Sequence, residues 1–306
     1  SWRADVIGEA DLVEEVVRIW GFDHIPNTSM ATEHVVPVPA LTPAQTRERM
    51  AKRVLAARGM AEAVTFSFVS QKQAVLFGGG AEELCLVNPI SADLDVMRPS
   101  ILPTLLAAAS RNANMGNADL ALFEVGPQYA DATPRGQHTV ASGIRTGQTA
   151  ARDWSKSARP VDVFDAKADA MALLETLGAP GQNMQVSTDG PSWYHPGRSG
   201  TLRLGPNAFA HFGEVHPKVL REMDLKGPAV GFEVFLAKVT EPRSKGPARS
   251  LLKLSPFQAV YRDFAFLVDV DVPAEKLIRS ASGADKALIA AVRLFDEYSG
   301  KGMPEG

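Results

Sequence analysis

LCLVNPISADLDVMRPSILPTLLAAASRNANMGNADLALFEVGPQY, residues 84–129, carries the strongest local pattern in the chain. Its opening apolar run, Leu84–Val87, is closed by Asn88 and Pro89 and therefore predicts a buried strand. A second strand is predicted over Leu120–Val125, and the apolar residues between the two have the spacing of a helix. A strand, a helix and a strand in this order predict a layer of helix packed on a sheet.

The helix inside this segment has recognisable start and stop signals. Ser100 is a suitable N-cap, and Pro103 falls in the first turn, where its missing backbone N–H is tolerated. Gly116 follows the last periodic residue and can adopt the left-handed conformation that ends many helices. The residues that we expect to face the sheet are Leu102, Leu105, Leu106 and Ala109.

Three motifs of this segment are NPIS, MRPSILPTLL and LFEVG. In this order and spacing they resemble the core of the bacterial phenylalanyl-tRNA synthetase beta chain, which belongs to the class II synthetases. The resemblance implies an α+β fold, with a class II synthetase-like antiparallel sheet flanked by helices.

The resemblance also implies that the nucleotide site of class II synthetases is lost here. In a working site, an arginine two residues before a motif glutamate grips the α-phosphate of ATP through its bidentate guanidinium. Here the glutamate is Glu124, and Leu122 occupies the arginine position. The third class II motif would fall at Ala229–Leu236, which contains neither an arginine nor repeated glycines. We therefore assign no catalytic and no cofactor-binding residue, although Arg98 and Arg111 lie near enough in sequence to offer a guanidinium.

Composition limits the functional class. The 306 residues include 32 Lys and Arg against 35 Asp and Glu, so the net charge of -3 argues against binding nucleic acid by bulk attraction. The single cysteine, Cys85, is expected to be a small buried hydrophobe in a reducing cytoplasm. No apolar run approaches the roughly 18 residues of a membrane span. Because the chain starts without Met and opens into a helix motif, we expect a soluble fragment of a cytoplasmic protein.

The first residues combine a short helix with clustered acids. Apolar residues at helical spacing predict a helix over Leu12–Trp20, ended by Gly21. The spacing of Asp11 and Glu14 fits a capping box at the helix start. Hard cations such as Mg²⁺ favour a set of four carboxylates such as Asp5, Asp11, Glu14 and Glu15. The residues alone leave both the capping and the metal interpretation open.

The pattern R-x-D followed by D-L-x-E-E, within residues 3–15, resembles the end of the helical domain of the same beta-chain family. That resemblance implies that Asp5, Asp11, Glu14 and Glu15 are ligands of a magnesium ion shared with the alpha chain. The capping and metal roles are compatible, because one oxygen of an aspartate can cap while the other faces the ion.

Further elements are predicted between residues 42 and 240. Thr42, Pro43 and Gln45 mark the start of a helix that runs to Arg58. With the strand after it, this helix resembles the first class II motif, which builds subunit interfaces in that family, but packing on its own sheet is equally compatible with the pattern. The remaining elements are strands at Val64–Phe68, His138–Arg145 and Val230–Leu236 and a helix at Asp165–Leu177.

Two groups of polar residues in this region are candidates for chemistry. His195, His211 and His216 lie near turns, but in a strand the last two would point to opposite faces, so we reject a metal site. A basic cluster is formed by Arg145, Arg152, Lys156 and Arg159. Trp154 beside it could stack on a nucleic-acid base, but such a cluster is more typical of a solvated loop.

The C-terminal part predicts a second, smaller domain. Alternating apolar residues indicate strands at 264–270 and 288–298, and the helix between them runs from Pro273 to Gly283. YRDFAFLVD and VRLFDEYSGKGMPEG resemble the first half of the family's ferredoxin-like anticodon-binding domain, so we expect a truncated ferredoxin-like half-domain. The predicted organisation is the end of a helical domain at 1–26, a linker at 27–41, a catalytic-like core at 42–240, a linker at 241–252 and the half-domain at 253–306.

The resemblance implies a structural and tRNA-presenting part of a phenylalanine–tRNA ligase. The alpha chain would bind ATP and phenylalanylate tRNA(Phe) in an alpha2-beta2 assembly, and this chain would share its magnesium but be inactive alone. Neither DNA nor a membrane is an expected partner. An independent class II-like ATP-dependent ligase is the alternative, and a carboxylate-metal hydrolase is a third class for which the sequence offers no general base.

Overall fold

The chain, as a computed structural model, is described at residues 2–28, 39–155, 157–179, 184–239, 251–252, 254–298, 300 and 302. It forms two compact units, Ser1–Ala40 and Leu41–Gly306. The predicted linkers at 27–41 and 241–252 lie largely outside the described residues, as does Lys156. Within the described ranges, no helix is long and apolar enough to cross a membrane.

The first unit contains helix α1, Glu9–Trp20, followed by a 3₁₀ turn at Phe22–His24. The helix starts earlier than the predicted Leu12, with Gly8 in extended conformation as its N-cap. Gly21 ends the helix with a φ of 114°, a conformation that favours glycine, as predicted. The apolar stripe of α1 is exposed in this structure.

The second unit is built on a mainly antiparallel sheet. Its described strands are Ala61–Glu62 (β1), Phe68–Val69 (β2), Val96–Met97 (β3), Leu120–Tyr129 (β4), Gln137–Thr146 (β5), Gln185–Ser187 (β6), Tyr194–Leu204 (β7), Asn207–Val215 (β8) and Ala229–Phe235 (β9). Seven of them form one sheet in the order β1-β4-β5-β9-β8-β7-β6. Only the β1–β4 pair of this sheet is parallel, and β2 and β3 pair separately.

Helices cover both faces of the large sheet. The described helices of this unit are Pro43–Ala57 (α2), Gln71–Leu76 (α3), Leu102–Asn114 (α4), Val163–Thr176 (α5), Pro217–Glu222 (α6) and Ala274–Ala284 (α7). Helices α2 and α5 pack on Phe123, Phe209 and Phe232 at one face. Helix α4 covers the other face with Leu105 and Leu106. Because both faces are covered, β9 is buried along nearly its whole length. The α+β fold with a helix-flanked sheet is confirmed.

The helices with strong local signals form as predicted. Thr42 caps α2 through Gln45, whose backbone N–H and side-chain oxygen both bond to it. Helix α5 ends before Gly178, which has a φ of 81°. The predicted inner face of α4 is fully buried, and Ile101 occupies the N-cap position by the helix bounds. The predicted capping role of Ser100 is nevertheless met, because its hydroxyl accepts a hydrogen bond from the backbone N–H of Leu102 at 3.0 Å. The same hydroxyl also donates a hydrogen bond to a buried acid of the sheet.

The strand predicted at Leu84–Val87 is wrong. Residues Glu82–Leu84 form a 3₁₀ turn, and Cys85 makes one isolated bridge with Val96. A short apolar run becomes a strand only where a neighbour supplies a continuous ladder of hydrogen bonds, and here the neighbouring strand β3 has two residues. Val87 is consequently fully exposed, and Cys85 is exposed rather than buried.

Three other predicted strands are also partly or wholly wrong. Of Val64–Phe68, only Phe68 joins a strand, while Val64 and Phe66 are exposed. No strand forms at 264–270 or 288–298 among the described residues, because these segments have no ladder partner there. The helix between them is α7, which starts after Pro273 as predicted and continues one residue beyond Gly283.

Candidate functional site

Asp11 is a capping residue of α1. Its carboxylate accepts hydrogen bonds from the backbone N–H groups of Gly8 (2.8 Å) and Ile7 (2.9 Å), and these bonds lower the pKa of its carboxyl group. Asp11 therefore lies inside the first turn and reaches back to the N-cap. The predicted capping box of Asp11 with Glu14 is wrong, since Glu14 takes no part in it.

Arg3 binds two of the other predicted magnesium ligands. Its guanidinium pairs with Asp5 and, at 2.9 Å, with Glu15, which also pairs with Arg18. The hydrogen bond from Arg3 lowers the pKa of Asp5, and those from Arg18 and Arg3 lower the pKa of Glu15. Across the described residues, no three His, Cys, Asp or Glu side chains lie close enough together to hold a metal ion. The four carboxylates are thus of the right chemical type but are not gathered into one site.

Leu122 is the residue that the sequence resemblance places at the arginine position of the class II nucleotide site. It lies on the sheet face covered by α4 and packs among the apolar side chains there. Glu124 is two residues further along β4, so it shares this face. An apolar side chain in this position can neither donate a hydrogen bond to a phosphate nor balance its charge.

Arg98 is fully buried against Glu124, which is 5% exposed. Its Nη2 donates to Glu124 Oε1 at 2.8 Å, its Nε to the Pro127 carbonyl at 2.9 Å and its Nη1 to the Thr65 hydroxyl at 2.9 Å. The Thr65 hydroxyl in turn donates to Glu124 Oε2 at 2.6 Å. This arginine is therefore committed to a closed structural network. Arg111 lies exposed in the last turn of α4.

A second buried carboxylate, Glu233, lies on β9 where the third class II motif was expected. Its Oε1 accepts a hydrogen bond from the Ser100 hydroxyl at 2.6 Å, and its Oε2 accepts from Trp193 Nε1 (3.2 Å) and the Tyr194 hydroxyl (3.4 Å). Burial raises the pKa of Glu233, and burial followed by this carboxylate raises the pKa of Tyr194. Strand β9 thus carries a buried acid whose oxygens are bonded to Ser100, Trp193 and Tyr194.

A third buried carboxylate, Asp169, joins helix α5 to the sheet. Its Oδ1 accepts from Arg58 Nε at 2.6 Å and its Oδ2 from Arg145 Nε at 2.7 Å. Arg145 also donates to the carbonyl of Arg58 at 3.1 Å. Hydrogen bonds from Arg145 to Asp169 raise the pKa of this guanidinium. Arg145 is therefore a structural residue and not part of a solvated basic loop.

The other described residues of the predicted basic cluster differ in whether they are ion-paired. Arg159 pairs with Asp165 and Asp162 at the start of α5. Arg152 and Trp154 are exposed, the latter at 98%. The described part of the loop therefore leaves one predicted cation, Arg152, beside an exposed indole.

His195 and His216 lie side by side, with ring centroids 6.4 Å apart and planes 27° from parallel. The Nδ1 of His195 accepts from the backbone N–H of Gly197, and that of His216 accepts from the backbone N–H of Lys218, both at 3.1 Å. A ring nitrogen that accepts from a backbone N–H carries no proton, so each neutral imidazole holds its proton on Nε2. A metal ion at Nε2 would displace that proton to Nδ1 and break the backbone hydrogen bond.

His211 is separate from this pair. It lies on β8, 2.9 Å from the Thr201 hydroxyl and edge-on to Phe235. Burial, with a smaller contribution from Lys238, lowers the pKa of His211 to about 4, so its ring is neutral at pH 7. The assumption that His211 and His216 share one strand is wrong, because His216 is the N-cap of α6.

Residues 25–236 match the family described as "Phenylalanyl tRNA synthetase beta chain CLM domain". The chain belongs to the phenylalanyl-tRNA synthetase beta chain family. Residues 255–306 match the ferredoxin-fold anticodon binding domain. Family membership, predicted from NPIS, MRPSILPTLL and LFEVG, is therefore confirmed.

Curated relatives in the beta-chain family align along nearly the whole chain. The phenylalanine–tRNA ligase beta subunit of Paramagnetospirillum magneticum is 51% identical over 307 residues, covering 100% of this chain and 38% of the relative. That of Cereibacter sphaeroides is 53% identical over 301 residues, covering 98% and 37%. The chain thus spans less than two fifths of these relatives. A pyrrolysyl tRNA synthetase structure from Desulfitobacterium hafniense shows 14% identity and a TM-score of 0.49, with 63% of this chain and 66% of that chain covered.

The beta-chain sequence contains signals for the buried network that motif reasoning missed. Arg98 lies between apolar residues and a proline, in VMRPSILP, where a solvated arginine is unusual. Asp169 comes three residues after Ala166 and four before Leu173, so it lies on the apolar face of its helix. A charged residue at an apolar position predicts a buried partner, although its identity requires the fold.

Proposed function

We propose that this chain forms the structural and tRNA-presenting core of a phenylalanine–tRNA ligase beta chain. In this proposal it assembles with an alpha chain as alpha2-beta2 in the cytoplasm and supports ATP-dependent phenylalanylation of tRNA(Phe). The alpha chain binds ATP. The observation that carries the proposal is the closed face of the sheet, where Leu122 packs under α4 and Arg98 is paired with Glu124.

The closed face argues for a scaffold because activation of an amino acid needs open positive charge. Negative charge builds at the α-phosphate as pyrophosphate leaves, and a donor must already point at it. The side chains on this face of the sheet are the partly buried Leu122 and the buried acids Glu124 and Glu233. Arg98 packs against the face and is paired with Glu124. These residues stabilise the sheet and offer no group to a nucleotide.

Assembly tests this proposal directly. A full-length beta chain containing these residues is expected to copurify with the alpha chain of the same organism, and only the assembled complex should attach phenylalanine to tRNA. Stable copurification together with aminoacylation would support the proposal. A beta chain that charges tRNA(Phe) alone, or that never associates with the alpha chain, would contradict it.

We further propose that Asp5, Asp11, Glu14 and Glu15 contribute to magnesium binding in that complex. Carboxylate oxygens are the ligands that Mg²⁺ favours, and a bound ion would balance the like charges of these acids. In this chain Asp5 and Glu15 are paired with Arg3, and Asp11 caps α1. The complete ligand set therefore requires a rearrangement and oxygens from the partner.

Magnesium is accordingly expected to bind weakly to this chain alone and more tightly to the complex. The chain alone lacks the partner's oxygen ligands, while its own like charges remain close together. Calorimetric titration of both samples with magnesium measures the difference. Asp11→Ala and Glu15→Ala should each weaken binding to the complex at least tenfold, whereas Glu9→Ala on the same helix should have little effect. Tight binding to the chain alone, or unchanged binding by both variants, would refute the shared site.

A further inference from the structure

His195 and His216 present two open N–H donors on the surface of the sheet unit. Both Nδ1 atoms accept from backbone N–H groups, which places the proton of each neutral ring on Nε2. Neither Nε2 has a hydrogen-bond partner within the described ranges. Neither atom is buried without a partner, so both reach the solvent. Both donors are therefore accessible and unused by the protein.

Hydrogen bonds of the neighbouring residues fix the positions of the two histidine rings. The backbone N–H of His216 donates to the carbonyl of Trp193 at 2.9 Å, and Tyr194 and Val215 are register partners in the β7–β8 ladder. The indole of Trp193 is fixed in turn by its hydrogen bond to Glu233. The ring spacing of 6.4 Å is thus set by the sheet and exists before any ligand arrives.

The charge around the pair favours an anion. Lys218 follows His216 by two residues, is exposed and has no ion-pair partner among the described residues. Arg198, on β7, is already neutralised by Glu214. A cationic ligand would meet Lys218, and a metal ion would disrupt both Nδ1 hydrogen bonds. The ligand that fits is an acceptor of hydrogen bonds that also carries negative charge.

We propose that His195, His216 and Lys218 bind a backbone phosphate of the tRNA. This inference rests on the proposed tRNA-presenting function and gives it a specific contact surface. A phosphate offers several oxygens, so it can accept a hydrogen bond of about 2.9 Å from each of the two ring donors, while Lys218 supplies a point charge. Phosphate contacts of this kind position a nucleic acid without reading its sequence.

The test is tRNA binding by the alpha–beta complex carrying His195→Asn and His216→Asn together. The Asn side-chain oxygen can accept the same backbone N–H, and Asn is a favoured N-cap, so the turn at 195–197 and the cap of α6 are preserved. The shorter Asn amide keeps its N–H donors close to the backbone, so they no longer reach the outward position of Nε2. His138→Asn, which changes an exposed histidine on β5, is the matched control.

The double variant is expected to raise the Kd for tRNA about tenfold at fixed salt, since two hydrogen bonds are lost. The slope of log Kd against log salt should not change, because the two substitutions remove no lysine or arginine contact to a phosphate. Lys218→Gln should reduce the magnitude of that slope by about 0.9. His138→Asn should alter neither the Kd nor the slope.

Three outcomes would overturn the assignment. Unchanged tRNA affinity of the double variant, with normal binding by the unmodified complex, would refute this site but leave the proposed function intact. Loss of copurification with the alpha chain by the double variant would assign the histidine pair to the subunit interface and not to tRNA. The unmodified complex could bind inorganic phosphate in calorimetry, and the double variant could lose this binding while its tRNA affinity stays unchanged. That result would assign the site to a free anion. If the unmodified complex does not bind tRNA, the proposed function fails together with this contact.

Discussion

Glu124→Gln is expected to lower the free energy of unfolding by about 3 to 5 kcal/mol. Glutamine keeps the shape of the side chain but removes the charge that balances Arg98, whose side chain is 1% exposed. A buried guanidinium without a counter-charge is costly, and the Thr65 and Pro127 contacts of Arg98 supply no negative charge to replace the carboxylate. Urea unfolding of the beta chain, followed by circular dichroism, measures the effect.

Two comparisons make the result specific to this buried pair. Glu62→Gln breaks the exposed pair with Lys52 and should cost less than about 1 kcal/mol. A double variant, Arg98→Met with Glu124→Leu, removes both charges and should recover most of the lost stability. A loss no larger for Glu124→Gln than for Glu62→Gln would show that the network does not hold the sheet face closed.

The helices could be predicted because their signals are local. Thr42 with Gln45 specifies the start of α2, and the apolar spacing of α4 specifies which side chains meet the sheet. Each signal lies within one or two helical turns of the structure it predicts. Strands β4, β5 and β9 were also predicted, whereas β7 and β8, which are of similar length, were not.

The remaining assignments depend on contacts far apart in the sequence. Arg98 and Glu124 are separated by 26 residues, and Arg58 and Asp169 by 111, so no local pattern joins them. Strand identity at Leu84–Val87 likewise depends on the length of the strand beside it. The pairing of His195 with His216 arises because the ends of β7 and β8 meet, which only the sheet topology specifies.

The beta chain alone is expected not to activate phenylalanine. Removing one preorganised donor from an oxyanion site typically lowers the rate about 10²- to 10³-fold. By the sequence resemblance Leu122 stands at one of the two arginine positions, and β9, where the other is expected, contains no arginine. Arg98 cannot substitute, since releasing it would break its pair with Glu124 and leave that carboxylate buried without a partner. With both arginines absent, the rate of phenylalanine activation by the beta chain alone should fall below detection.

Phenylalanine-dependent exchange of pyrophosphate into ATP tests the central claim most directly, because it reports adenylate formation without requiring tRNA. The assay compares the purified full-length beta chain, the alpha chain from the same organism, and the two combined, each with and without phenylalanine. The scaffold account predicts a blank-level signal for the beta chain and strong exchange once the alpha chain is added. Phenylalanine-dependent exchange by the beta chain alone, clearly above the blank, would contradict it.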